Sequence, residues 1–309
     1  MCALCAGPVD PMAEVATGLI PSRLALVTIL VSLAAASGSR YATRPGKRLP
    51  LLRPRRETSM ADLIDQVVLV TGGSRGIGAA IARAAASAGA DVAISYLDRP
   101  DEAEGVVSEI QGMGRRAMAV GADLAEPEAG RPLVASVEAE MGRIDALVNN
   151  AGVMPETPFL EITDRDWGEV IAVDLTAPFV CSQAVLPGMI SRGKGSIVMI
   201  SSRLGQIGWP GVAHYAAAKA GLLGLTKSLA REFGPLGIRV NAVAPGPTVT
   251  EMSASMLAGE EGRRREADLP AGRLGRPEDV ADSVIFLLSD AASMYHGQTL
   301  SPNGGGYMP

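Results

Sequence analysis

Cysteine and histidine are scarce in this chain, with three cysteines and two histidines in 309 residues. Cys2, Cys5 and Cys181 are too few and too badly placed for a disulfide framework, which points to a reducing compartment. Cys2 and Cys5 form a lone CxxC with no second pair and no histidine cluster, so no metal site is expected and the pair reads as incidental. Basic charge is also missing from the main body. Residues 1–59 carry a net charge of +5, whereas residues 60–309 carry −10. An acidic body lacks the clustered Lys and Arg that bind a nucleic-acid backbone by releasing counterions. Its expected partners are small molecules. The apolar stretch 24–37 has fourteen residues, short of the roughly 20 that a spanning helix needs.

That stretch sits between Arg23 and a basic segment, 40–56, and three accounts of residues 1–59 stay open. They are upstream sequence or a leader ahead of Met60, a cleaved targeting peptide, or a membrane anchor. Membrane association is expected only where 24–37 is retained, and the rest is expected in the cytoplasm. Residues 60–309 show no internal repeat, no low-complexity tract and no linker, so they are expected to form one domain.

From Gln66 onward, short apolar and β-branched runs alternate with longer segments of helical period. This is the pattern of a parallel sheet covered by helices on both faces. The strand candidates are 67–70, 92–96, 117–120, 146–148, 197–200, 240–243 and 298–300. Seven such strands suit a doubly wound α/β sheet. Thr163, with Asp166 three residues on, opens a long helix, and Pro277-Glu278-Asp279 opens another. The Met-, Gly- and charge-rich stretch 251–270 reads as a lid or a surface helix. Within it, Arg263, Arg264 and Arg265 are flanked by Glu260, Glu261, Glu266 and Asp268, as on a solvated helix face.

The first strand runs into Thr71-Gly72-Gly73-Ser74-Arg75-Gly76-Ile77-Gly78 and then an Ala-rich helical run. Glycines in such a turn let backbone approach a pyrophosphate, and the open N–H groups of a helix start favour its charge. The spacing is Gly-x3-Gly-x-Gly rather than the commoner GxGxxG. Further on, Tyr215 and Lys219 stand four apart in a helical segment and share one face. A phenol is a poor base until a positive neighbour lowers its pKa from about 10. Lys219 is positioned to do so. His214, adjacent to Tyr215, points about 100° away around the helix and is expected to pack rather than react.

Together, Thr71-Gly-x3-Gly-Ile-Gly, Asn149-Asn150-Ala151-Gly152, Ser202, Tyr215-x3-Lys219 and Pro245-Gly246 resemble the short-chain dehydrogenase/reductase family in order and spacing. TGGSRGIG, LVNNAGV, YAAAKAGLLGLTKSLARE and RVNAVAPG point most closely to its 3-oxoacyl-[acyl-carrier-protein] reductase branch. The resemblance implies a single-domain Rossmann fold, hydride exchange with a nicotinamide, and a homotetramer. It implies that Ser202 binds the substrate oxygen, Tyr215 exchanges the proton, and Lys219 tunes the phenol and holds the nicotinamide ribose. Ser201, the nearest rival of Ser202, should point to the opposite face. Asp174 stands where the family has an asparagine in its proton relay.

For the cofactor, the resemblance assigns Thr71, Gly72, Ser74, Arg75, Gly76, Ile77, Gly78, Tyr96, Asp123, Leu124, Asn150, Ala151, Gly152, Tyr215, Lys219, Pro245, Gly246, Thr248 and Thr250. Tyr96 occupies the place of the acid that binds a ribose 2′-hydroxyl, and Arg75 the place of a base for a 2′-phosphate. NADP is therefore expected over NAD, with Asp98 the counter-signal. The family's substrate pocket corresponds to 154–156, 203–210 and 247–256, which supply Leu204, Trp209, Met252 and Met256. A small carbonyl or an acyl thioester suits that lining. Acyl carrier protein is a candidate donor of the thioester, with Arg192 and Lys194 as a basic rim, although Leu236 replaces a base. A sugar or polyol dehydrogenase, and a non-catalytic NADP-binding regulator, are the alternatives.

Overall fold

The computed structural model describes residues 62–126 and 128–308. Cys2, Cys5, the apolar stretch 24–37 and Met60 lie outside the described residues. The seven apolar runs form strands β1 (Val67–Val70), β2 (Asp91–Tyr96), β3 (Ala117–Gly121), β4 (Ala146–Asn149), β5 (Gly195–Ile200), β6 (Ile238–Val243) and β7 (Thr299–Leu300). All neighbouring strands pair in parallel, in the order β3-β2-β1-β4-β5-β6-β7. The helices are α1 (Gly76–Ser87), α2 (Pro100–Gly112), α3 (Gly130–Met141), α4 (Asp164–Ile171), α5 (Ala177–Arg192), α6 (Leu204–Ile207), α7 (Ala213–Phe233), α8 (Gly259–Ala267) and α9 (Pro277–Leu288).

Strand side chains alternate between two cores, as the period of 2 requires. Val68 and Val70 of β1, with Val198 and Ile200 of β5, face the core shared by α1, α2 and α9. Val67, Leu69, Ile197 and Met199 face the core shared by α3, α5 and α7. The buried alanines of α1, among them Ala79, Ala82 and Ala86, allow this helix to lie close to the sheet. β1 is flanked by β2 and β4, so the chain winds one way from β1 to β3 and the other way from β4 onward. A crevice opens at the carboxyl ends of the strands where that reversal falls.

The Thr163 signal is realised as a full capping box. The Thr163 hydroxyl accepts from Asp166 N at 3.2 Å, and the Asp166 carboxylate accepts from Thr163 N at 3.1 Å. The helix so opened is not continuous: residues Ala172–Thr176 form a π-helical turn between α4 and α5. Such a turn inserts a residue into the helix ladder and is common at functional sites. It turns the Asp174 side chain into the interior, fully buried.

The short helix α6 fixes α7 against the end of β5. Gly205 has no room for a side chain, because a Cβ there would lie 2.7 Å from the Lys219 carbonyl carbon and 2.8 Å from Ala220 N. A Gly205→Ala variant is expected to lose about 1–3 kcal/mol of unfolding free energy, as an overpacked contact does. Chemical denaturation, read as a lower midpoint with an unchanged slope, checks this.

Candidate active site

The carboxyl ends of the strands enclose one cavity of about 830 Å³, within the usual size of a ligand site. One end is a glycine cradle. Gly76 adopts φ +54°, and a Cβ on Gly78 would lie 2.1 Å from the Gly72 carbonyl oxygen. Only glycine permits that turn. The N-terminus of α1 opens here with no side-chain cap, so its first N–H groups are available to an anion. Thr71 lies behind the cavity wall rather than in it. Its Oγ1 accepts from Asn150 N at 2.9 Å and Ala151 N at 3.0 Å, while Asn150 Nδ2 donates to Thr71 O at 2.9 Å and Gly72 O at 3.1 Å. These bonds clamp the loop after β4 to the loop after β1.

Every other residue assigned to the cofactor lines the cavity: Gly72 and Ser74 to Gly78, Tyr96, Asp123, Leu124, Asn150 to Gly152, Pro245, Gly246, Thr248 and Thr250. Asp123 also caps a turn, accepting from Ala125 N at 2.9 Å. The cradle, the helix start and the volume fit a dinucleotide. Ser202, Tyr215 and Lys219 line the same cavity. Ser202 favours ionisation of the Tyr215 phenol, and the Lys219 ammonium lies 5.5 Å from the centre of the Tyr215 ring. Ser201 points elsewhere, donating to Lys219 O at 2.7 Å. His214 is fully buried and lies outside the lining.

Asp174 is not in the cavity but directly behind it. Its Oδ2 lies 3.1 Å from Lys219 Nζ, and its Oδ1 accepts from Val153 N at 2.8 Å. Lys219 Nζ also donates to Ile200 O at 3.0 Å. The ammonium is therefore held by an ion pair within the protein, and this changes the expected electrostatics. Burial is the strongest single influence on Lys219 and disfavours its charge, but the Asp174 carboxylate and the Tyr215 phenol together raise the lysine above its ordinary value. Burial likewise raises the Asp174 carboxyl, against the pull of Lys219 and the Val153 N–H. The Tyr215 phenol was expected below its ordinary value and lies above it. Burial raises it, Lys219 and the Ser202 hydrogen bond lower it, and Asp174 raises it again. The phenol therefore keeps its proton at neutral pH.

Three sets of residues differ from expectation. Arg99, just past β2, was not singled out; with Arg75 it grips the Glu251 carboxylate, each at 2.9 Å. Its only prior signal was its place beside Asp98. Arg265 does not sit on a solvated face with its neighbours. Arg264 pairs with Glu260 at 2.7 Å in solvent, whereas Arg265 lines the cavity and stacks on Trp209 at 4.9 Å. The cavity wall here comes from residues 251–258 and α8. Arg192, Lys194 and Leu236 lie just before β5 and β6, at the edge of the sheet away from the cavity. Arg192 Nη2 donates to Ile144 O and Lys194 pairs with Asp290 at 3.2 Å.

A doubly wound parallel sheet whose carboxyl edge carries a glycine cradle beside a Ser, Tyr and Lys cluster defines a nicotinamide-dependent oxidoreductase of the Rossmann class. A family model described as enoyl-(acyl carrier protein) reductase matches residues 72–306. The chain is 41% identical over 240 residues to the 3-oxoacyl-[acyl-carrier-protein] reductase FabG of Staphylococcus aureus strain Mu50, covering 78% of this chain and 97% of that protein. It is 44% identical over 244 residues to an acetoacetyl-CoA reductase of Rhizobium meliloti strain 1021, covering 79% and 99%. A candidate NAD(P)-dependent gluconate 5-dehydrogenase from Beutenbergia cavernae, solved with bound NADP, superposes with a TM-score of 0.77 at 41% identity, covering 80% of this chain and 99% of that one. The protein belongs to the short-chain dehydrogenase/reductase family and is an NAD(P)-linked oxidoreductase acting on CH–OH groups.

The negative charge of Asp174 opposes ionisation of Tyr215, so its removal leaves Lys219 unopposed and lowers the phenol pKa. An Asp174→Asn variant is expected to lose activity in the reduction direction at lower pH than the parent, measured as the alkaline limb of the kcat profile. Asp174→Ala leaves a buried ammonium unpaired and is expected to lose about 3–5 kcal/mol of unfolding free energy.

Proposed function

We propose that the protein reduces a carbonyl with NADPH, Tyr215 donating the proton, and that a 3-oxoacyl thioester is its substrate. The observation that carries the reading is the Ser202, Tyr215 and Lys219 cluster facing the same cavity as the glycine cradle. When bound, the nicotinamide supplies the hydride. Ser202 donates a hydrogen bond to the substrate oxygen and orients the carbonyl. The phenol of Tyr215, protonated at neutral pH, gives its proton to that oxygen as negative charge develops on it. Lys219 stabilises the phenolate left behind. Asp174 and Ile200 O hold the ammonium in place for that task, which makes Asp174 a positioning residue.

The thioester reading is supported by likeness to the FabG reductase and the acetoacetyl-CoA reductase. Likeness to the gluconate 5-dehydrogenase candidate favours a second reading, a sugar-acid or polyol substrate on the same machinery. With NADPH and the full chain, acetoacetyl thioesters are expected to be consumed faster than keto sugars, followed by loss of nicotinamide absorbance. Tyr215→Phe is expected to lower kcat by about 10²–10⁴-fold, the range of a positioned general acid. Equal rates in the variant and the parent would remove Tyr215 from the reaction.

The choice of NADP over NAD rests on Arg75 and Arg99. Both hold a carboxylate at 2.9 Å in the structure, beside Tyr96, where an acid would select the bare ribose. A 2′-phosphate is the natural replacement for that carboxylate, because guanidinium groups bind phosphate and carboxylate with the same fork. Arg99→Gln is expected to lower the preference for NADPH over NADH by roughly tenfold, the value of one charge-assisted bond. Dissociation constants for both cofactors, from quenching of protein fluorescence, check it.

A further inference from the structure

At the cofactor end of the cavity, two guanidinium groups from different loops close on one carboxylate. Arg75 stands directly before α1 and Arg99 directly before α2. Arg75 Nη1 reaches Glu251 Oε2 and Arg99 Nη2 reaches Oε1, each at 2.9 Å, so the carboxylate gives one oxygen to each fork. Arg99 is held a second time, by Glu102 of α2 at 2.8 Å, and its position does not depend on Glu251 alone. Arg75, Tyr96, Asp98 and Glu251 all line the cavity. The side chains of Arg75, Arg99 and Glu251 are 47%, 41% and 58% exposed. Ion pairs this open to water hold weakly and are readily exchanged.

Glu251 also belongs to a wall of the cavity. Met252, Ser253, Met256 and Leu257 line the same space, and hydrogen bonds tie this segment into one unit. Thr250 N donates to Ser253 Oγ at 3.0 Å, and Ser253 Oγ donates to Thr248 O at 2.6 Å. Ala254 N donates to Glu251 O at 3.2 Å and Leu257 N to Ser253 O at 2.9 Å. A shift of Glu251 is therefore passed along to Met252 and Met256. Through Arg75 and Arg99, the carboxylate fastens this wall to the loops that follow β1 and β2. A phosphate monoester carries more negative charge than a carboxylate and offers more acceptor oxygens, so the same two forks bind it more strongly.

We propose that Glu251 is an internal competitor for the 2′-phosphate of the cofactor. Its carboxylate holds the phosphate's place between Arg75 and Arg99 until NADP(H) displaces it, and the displacement unfastens the wall 251–257. This rests on the NADP reading above and adds a regulation to it. NAD(H) carries a bare 2′-hydroxyl, which brings no charge to displace the carboxylate, and it leaves the wall fastened. The coupling runs both ways by linkage, so a protein whose wall is already released binds the 2′-phosphate more tightly. The effect is modest because the ion pairs being exchanged are exposed.

Dissociation constants of the full chain for NADPH, NADH, adenosine 2′,5′-bisphosphate and adenosine 5′-phosphate test this, the last two isolating the 2′-phosphate from the nicotinamide. Glu251→Gln is expected to tighten NADPH and the bisphosphate by about threefold to tenfold and to leave NADH and the monophosphate within about twofold. Glu251→Asp keeps the charge but is one methylene short of spanning both forks, and is expected to follow Glu251→Gln rather than the parent. In an Arg99→Gln background the gain from Glu251→Gln should shrink, because one of the contested forks is gone. Amide hydrogen exchange in 251–257 is expected to rise when the bisphosphate, but not the monophosphate, binds the parent, and to be raised already in free Glu251→Gln. Three results would overturn the competitor: no tightening of the bisphosphate in Glu251→Gln, an equal gain for the monophosphate, or a Glu251→Asp protein that matches the parent. Wall exchange that responds alike to both nucleotides would overturn the release. The NADP reading fails on a different result, a parent that binds NADPH no more tightly than NADH and is indifferent to Arg99→Gln. In that case a preference for the bisphosphate that appears in Glu251→Gln still supports the competitor, and no preference there overturns it.

Discussion

Lys219 buries its ammonium where three parts of the structure meet, and each reaches the charge with a different group. The end of β5 presents the Ile200 carbonyl, the π turn between α4 and α5 presents the Asp174 carboxylate, and α7 carries the lysine itself. An unpaired ammonium in this interior would cost several kcal/mol, so the three elements are constrained to arrive together. The neighbouring contacts reinforce the same point. Ser201 holds the Lys219 carbonyl, Gly205 lets α6 lie against the backbone of α7, and Gly152 leaves room beside the ion pair. The position of Tyr215 is a consequence of this anchoring.

The same ion pair has a second effect, on the ionisation of Tyr215. A lysine alone beside a phenol draws it toward ionisation. Asp174 cancels part of that field, and burial adds to the cost of a phenolate, so the proton stays on Tyr215. Stability and chemistry are thus joined in one contact. The cost of burying a carboxylate is offset by holding the ammonium in place, and the same carboxylate opposes ionisation of the phenol.

Charge also divides the cavity by function. At the cofactor end, Arg75 and Arg99 are bridged by Glu251 from the wall that covers the site. Arg203 and Arg265 line the same cavity, as does Ser202. These exposed or half-exposed pairs contribute little to folding. A planar fork selects oxyanions by geometry as well as by sign. The chain is acidic as a whole, yet Arg75, Arg203 and Arg265 line its cavity.

Much of this was legible in the linear order of residues. The seven apolar runs became seven strands within one or two residues at each end, because a strand buried on both faces has no choice but a continuous apolar run. The Thr163 capping box and the Pro277 helix start were local signals and held for local reasons. The glycine loop and the Ser202, Tyr215 and Lys219 cluster could be read from spacing through likeness to a family. What could not be read were contacts between residues far apart in the chain: Arg99 with Glu251, Arg265 with Trp209, and Asp174 with Lys219 as an ion pair. Sequence alone determined the alternation of elements and the place of the glycine turn, since each depends on near neighbours and on periodicity. Only the tertiary structure decided how deeply Tyr215 is buried, which charges surround it, and which arginines face the cavity rather than solvent. Those properties depend on distance and dielectric environment, and neither exists until the chain has folded.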